Sequence, residues 1–398
     1  MTDELAPSVL GTRLREARRA RGISQAIAAE RIGVSRPTLI AVEQGRRRPL
    51  PAELVSLAHL YGRQVHDLAR PTPPVEALLA SFRIEPGKEA TEKQRAVEEL
   101  QRLADDVTEL ETISSTVMPR NYPPTYDIDG LPIDMAAEQV AQSERRRLGL
   151  GDGPVQQLRT VLEGEVGLKI FAFRLPPKIA GLFTVAEPAG ACIGLNVLHP
   201  FERQRWTLTH EWGHFLTSRW SAEITELGEG PARASERFAE AFAAHFLMPA
   251  SSITHRFQTI RRSRDGRFTA ADLLQLAAQY QVSAQACALR LEDLRLVAAG
   301  WWSGLVSRGL KVVEAREKLG LETLARDDQL LPQRMQYLAV EAYLEGKLSE
   351  GRLARLFQVD RVSVRDIVRR LGESSDVGSQ GDLQSWTWAA ELANDDQD

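Results

Sequence analysis

Cysteine is nearly absent: Cys192 and Cys287 are the only two among 398 residues. They lie far apart and in no paired motif, which argues against a disulfide scaffold and fits a reducing cytoplasm. No stretch approaches the roughly 20 apolar residues that span a bilayer, so no membrane is expected. The opening residues, MTDELAPSVLG, lack a basic stretch followed by an apolar one, so no secretory signal is read there. Histidine is scarce too, at seven residues. What remains is ordinary globular material, 43% hydrophobic and 26% charged. That composition argues against a mainly disordered or fibrous chain, and the length calls for about two to four domains.

The net charge of −4 hides an asymmetry. The first 70 residues hold 12 arginines against 7 acids, a balance of +5, which leaves −9 for the remainder. A basic end on an acidic body points to that end as the part that meets nucleic acid.

Punctuation divides the chain. Residues 9–69 read as short helices broken at Gly22, Gly33, Gly45, Pro49 and Gly62. Residues 70–131 read as a linker: a proline-rich stretch over 71–87, then an amphipathic helix from about 91 to 113. Val97, Leu100, Leu103, Ala104, Val107 and Leu110 recur there at helical steps. That stripe is short for a coiled coil, so packing on a neighbouring domain is expected. Residues 132–250 then combine helices at 135–148 and 154–166, strands in LKIFAF, GLFTV and ACIGLNV, and two further helices at 200–218 and 231–247. Residues 251–300 and 301–372 read as helical, and 373–398 as a polar tail. No repeat of fixed period is present, but 269–294 and 332–371 are both helix-turn-helix-like.

The first segment contains the pattern of a DNA reader. Ser24 caps a helix that begins at Gln25, Gly33 permits the turn, and Ser35 caps the next helix, with Pro37 in its first turn. The text LREARRARGISQAIAAERIGVSRPTLIAVEQGRRRPLPAELVSLAHLYG resembles the phage-repressor-like (Cro/C1, Xre) helix-turn-helix family. The resemblance implies double-stranded DNA as partner, with Gln25 on a phosphate and Ser35, Arg36 and Thr38 opening the recognition helix in the major groove. It also implies Arg46, Arg47 and Arg48 beside the backbone, and a buried structural pair of Arg18 with Glu43. A homodimer is expected, since such readers use two half-sites.

The chemistry lies in His210-Glu211-Trp212-Gly213-His214. Two histidines four apart project from one face of a helix and can share a divalent cation. Glu211 stands on the adjacent edge, where it would act as catalytic general base toward water. With so few histidines, chance gives this motif in on the order of one such sequence in a hundred. On the next helix Glu236 and Glu240 also share a face. One can ligate while the other orients a ligating histidine. His245 is expected on the solvent side, and His199 in a loop. The strand around 191–197 is expected as the sheet edge for an extended peptide, with Gly190 and Gly194 permitting close approach.

RQRWTLTHEWGHFL followed by ERFAEAFAAHFLMP resembles the ImmA/IrrE family of metallopeptidases over roughly 155–295. The resemblance implies Zn²⁺ as cofactor, held by His210, His214 and Glu236, with Glu240 behind them at a position where relatives carry Asn or Asp. Phe238 also departs from a commonly polar position. It further implies cleavage of a helix-turn-helix repressor, or of the chain itself, to control stress-response or mobile-element genes. The fold class expected is mainly α and multidomain: an all-α reader, an α+β zincin-like domain with a small antiparallel sheet, and a helical C-terminal region. A cytoplasmic, nucleoid-associated regulator is the expectation. The alternative is a transcription factor or antitoxin-type repressor whose metallopeptidase fold serves as sensor or dimerisation platform.

Overall fold

The computed structural model describes residues 7–61 (Gly22 apart), 63, 65, 68, 90–128, 130–219, 222–226, 234–321 and 330–373. The chain splits into two compact units, Met1–Pro74 and Val75–Asp398. Most of the prolines expected to form a linker, and the polar tail beyond 373, lie outside the described residues.

The first unit holds α1 (Pro7–Ala20), α2 (Gln25–Arg31), α3 (Arg36–Glu43) and α4 (Pro51–Tyr61). Its local chemistry follows the sequence. Ser24 Oγ accepts from Ile27 N at 3.3 Å and Ser35 Oγ from Thr38 N at 3.2 Å, each satisfying a free N–H of a first turn. Gly33 takes φ +72° between the two helices, a conformation that side chains with a Cβ rarely adopt. Leu14, Ala28, Leu39, Val42, Leu57 and Tyr61 close a small core.

The second unit is built on a sheet of β1 (Lys169–Phe173), β2 (Ile179–Ala186), β3 (Gly190–Asn196) and β4 (Glu223–Glu226), in the order β1-β3-β2-β4. The expected antiparallel sheet is instead mixed. β1 and β3 run parallel, with Lys169 opposite Cys192, while β2 is antiparallel to both β3 and β4. β3 is therefore internal and offers no free edge, which corrects its expected role as a peptide-binding edge. The space beside Gly190 is taken by Tyr122 and Arg120, and that beside Gly194 by Phe173, so neither glycine is open to a peptide.

Both sheet faces are buried, and side-chain alternation sorts the residues between them. On one side Ile170, Phe183, Ile193 and Leu195 meet α6 (Ile133–Arg147), α8 (Phe201–Thr217), α9 (Ala234–Leu247), α11 (Ala270–Tyr280) and α12 (Ala284–Asp293). α7 (Leu158–Val161) runs into a π turn at Leu162–Val166 and stops at Gly167. α10 (Ala250–Ser263) follows α9. α13 (Trp301–Ser307) places Trp301 and Trp302 against the same core, and α14 (Val312–Lys318) lies beyond.

On the other side Phe171, Phe173, Leu182 and Cys192 meet α5 (Ala90–Ile113), α15 (Gln333–Leu344), α16 (Glu350–Phe357) and α17 (Arg361–Glu373). The stripe of Val97, Leu100, Leu103 and Val107 on α5 is thus core of the second unit, not spacer. Its acids tie down the surroundings. Glu111 pairs with buried Lys169 at 3.0 Å, and Asp106 with Arg352 at 3.0 Å. No helix among the described residues is long and apolar enough to cross a membrane.

Candidate metal centre and nucleic-acid interface

α8 carries His210, Glu211 and His214 on the face turned toward α9 and the sheet. The two helices come close because Gly213 has no side chain: a Cβ there would lie 3.1 Å from Ala239 Cα and 3.2 Å from Phe242 Cδ1. Trp212 is held edge-on against Phe242 and Phe246, at 5.4 and 4.7 Å between ring centroids. That packing fixes the rotation of α8 and aims its histidines at the first turn of α9.

There the ligand atoms converge. His210 Nε2 is 3.3 Å from Glu236 Oε2, His214 Nε2 is 3.2 Å from Glu236 Oε1, and the two Nε2 atoms are 3.2 Å apart. His210, His214 and Glu236 form a group able to hold a metal ion. Donors at 2.0–2.1 Å from a tetrahedral zinc stand about 3.3 Å from one another. Two imidazole nitrogens and a carboxylate gathered at this range are a donor set that fits zinc, each nitrogen approaching a different oxygen of Glu236.

Glu240 sits behind this group. Its Oε2 is 3.4 Å from His210 Nδ1 and accepts from Trp206 Nε1 at 3.1 Å. It thus meets the ring nitrogen of His210 that points away from Glu236, while its own side chain is about half exposed. Burial works against a charged His210, but Glu236, Glu240 and Glu211 outweigh it and raise its pKa to about 10. Burial alone would raise the Glu236 carboxyl; the two imidazoles override it and hold that carboxyl far below the usual range.

Glu211 is 0% exposed and neither carboxylate oxygen has a hydrogen-bond partner. Desolvation pushes its pKa up, against the pull of His210 and His214. It lies against β2 at Gly181, where a Cβ would fall 2.8 Å from Glu211 Oε1. Opposite Gly181 on β4 stands Thr225. Its hydroxyl lies near the carboxylate, without hydrogen-bonding geometry, and is likewise buried and unpartnered. Gly181 and Thr225 were not legible as site residues. Their signal is the pairing of two distant strands, which no local pattern carries.

His245 departs from expectation. It is buried, with Nε2 2.8 Å from Asp134 Oδ1 and Nδ1 3.0 Å from Arg290 Nη2. It joins α6, α9 and α12 and takes no part in the ligand group. His199 is a loop residue that meets Pro177 O at 3.1 Å.

In the first unit, Arg18 grips Glu43 with two nitrogens, at 2.6 and 3.0 Å, and both residues are buried. Gln25 Nε2 donates to Glu43 at 2.9 Å, so the amide expected on a phosphate is held instead by the protein itself. Ser35 and Thr38 share a hydrogen bond at 2.8 Å at the exposed start of α3, beside exposed Arg36. Arg46 contacts Gln44, Arg47 pairs with Glu53 at 2.8 Å, and Arg48 is exposed. The three arginines stand together after α3, and Leu39 and Val42 face the core.

Residues 9–70 match the model of a helix-turn-helix domain, and residues 163–292 match that of the IrrE N-terminal-like domain. The chain therefore carries a helix-turn-helix domain followed by a peptidase-type domain of the ImmA/IrrE kind. No curated protein matches it. Among solved structures it is similar to Bacillus thuringiensis PlcR in complex with the peptide PapR7 and DNA, at 11% identity over 92% of this chain and 93% of that one, with a TM-score of 0.16. It is also similar to ComR from Streptococcus suis, at 9% identity over 93% and 95%, with the same TM-score. At that TM-score neither likeness bears on fold or function.

Proposed function

We propose that this protein is a DNA-binding regulator whose second unit is a zinc-dependent peptidase acting on a repressor-type protein or on the chain itself. The observation that carries the reading is the spacing of His210, His214 and Glu236 at 3.2–3.3 Å, beside a buried glutamate with no other partner. A zinc ion held there supplies Lewis acidity toward a scissile carbonyl.

The chain's own residues do the rest. Glu240 orients His210 through Nδ1, and Trp206 orients Glu240. Burial against Gly181 keeps Glu211 poorly solvated, so that it takes a proton from the attacking water and returns it to the leaving amine. β4, at the end of the sheet, is the edge on which an extended substrate pairs. The exposed start of α3 and the arginines after it bind the duplex, which brings the peptidase to regulated genes. Stress-response or mobile-element genes are the proposed targets, with a cytoplasmic, nucleoid-associated location and a homodimer on paired half-sites.

Burial favours a second reading. Glu211 and His214 are 0% exposed and His210 is 5% exposed, which leaves a peptide little to reach. On that reading the cation is structural and the domain is a sensor or dimerisation platform. Glu211→Gln separates the two. The peptidase reading expects unchanged zinc content and fold, with cleavage of a co-incubated helix-turn-helix repressor reduced roughly 100-fold or more. Cleavage at the wild-type rate, followed by mass, would remove Glu211 from the reaction.

A further inference from the structure

The helix-turn-helix of the first unit has a counterpart at the other end of the chain, 325 positions on (349 less 24). Ser24 caps α2, and Ser349 caps α16 by accepting from Arg352 N at 3.2 Å. Ala28 and Leu353 are buried at the same step. Gly33 and Gln358 both take the left-handed conformation, at φ +72° and +54°, and a valine follows each, Val34 and Val359. Ser35 caps α3 through Thr38 N; Asp360 caps α17 by accepting from Ser363 N at 2.8 Å. An exposed arginine then opens each helix, Arg36 and Arg361. Leu39 and Val364 plug the two cores at the same position. α15 stands before α16 as α1 stands before α2, across a short loop.

This frame recurs a third time, with a different outer face. In α11–α12, Gln281 is left-handed at φ +54° and Ser283 caps the second helix. There Ala284, Ala288 and Arg290 are buried, and Arg290 donates inward to Met248 O at 3.2 Å. The exposed residues of that helix, Gln285, Leu289 and Asp293, include no base and one acid.

α17 differs in its outer face. Arg361, Val362, Arg365, Asp366 and Arg369 are all exposed, three cations against one acid. Arg365 meets Glu350 at 3.1 Å and Arg369 meets Asp366 at 2.7 Å. Such exposed pairs are weak in water and yield readily to phosphate. Val362, 73% exposed on the first turn, is the type of apolar side chain that meets a thymine methyl in the major groove.

We propose that α15–α17 is a second reader of double-stranded DNA, with the first turns of α17 entering the major groove, so that one chain carries two DNA-binding elements. The proposal rests on the DNA-binding reading of α2–α3, whose frame it shares.

The test uses the full chain and a fluorescent mixed-sequence duplex of about 40 base pairs, long enough for two half-sites, with anisotropy read over a series of salt concentrations. The triple variant Arg361→Ala, Arg365→Ala, Arg369→Ala should weaken binding and lower the slope of log affinity against log salt by about two to three. The matching lysine variant keeps the charges and should restore that slope. Substituting Arg36, Arg46 and Arg48 by alanine should leave residual binding that the second triple abolishes. An α17 alanine variant with wild-type affinity and slope overturns the proposal, including when a protein partner is found on that face instead. In that case the N-terminal reading survives if its own variant loses all binding. A wild-type chain that binds no duplex overturns both.

Discussion

At Gly181 a hydrogen stands where any other residue would put a carbon 2.6 Å from Thr207 Cγ2 and 2.8 Å from Glu211 Oε1. Both neighbours belong to α8, whose backbone is fixed by Trp212, so the carboxylate has no room to retreat. Gly181→Ala is expected to destabilise the second unit by about 1–3 kcal/mol as overpacking and to abolish cleavage. Zinc content should survive, because the three ligands lie elsewhere. Unfolding in denaturant with metal analysis checks this, and full activity in the variant would sink it. In the first unit the buried Arg18–Glu43 pair invites the opposite experiment. Arg18→Met alone strands a buried carboxylate and should destabilise α1–α4 by about 3–5 kcal/mol, whereas adding Glu43→Leu should recover most of that. Hydrogen exchange of the α2–α3 amides reports it; equal protection in the single and double variants would contradict the account.

Among helices, what was legible is what is local. The step of four between His210 and His214 places both on one face whatever surrounds the helix, and the serine caps at 24 and 35 act within three residues. The sheet was not legible in the same way. LKIFAF and ACIGLNV read as strands, but their parallel pairing depends on contacts more than twenty residues apart, and four-residue β4 is too short and polar to stand out. His245 shows the same limit, since its partners lie 111 and 45 residues away in sequence. The closeness of α8 and α9 depends on Gly213 facing Ala239. Ala239→Leu should wedge the helices apart and lower zinc affinity with the fold retained. Competition with a chromophoric chelator measures this, and wild-type affinity would show that the contact does not set the ligand spacing. Glu240→Ala should lower that affinity about 10- to 100-fold, as loss of a group that orients a ligand does.

For the whole molecule, the two units have separate cores. A cation bound to α8 and α9 stabilises only the unit that holds it, by mass action. Chelation should therefore lower the melting of the second unit and leave that of α1–α4 in place. Calorimetry with and without chelator tells the two apart, and a single transition that shifts as one would argue for coupled units. Size and composition gave the multidomain plan correctly. The apolar stripe of α5 does pack, as expected of it, but as core of the second unit itself and not as part of a linker, a distinction that a short stripe does not carry.

β4 closes the sheet order at one end, and its Thr225 stands opposite Gly181, against which Glu211 lies. On the proposed peptidase reading, a guest chain added there would be held through its main chain, which every sequence has in common. What is cut would then depend on which segments can straighten into an extended form, and a compactly folded guest would be spared.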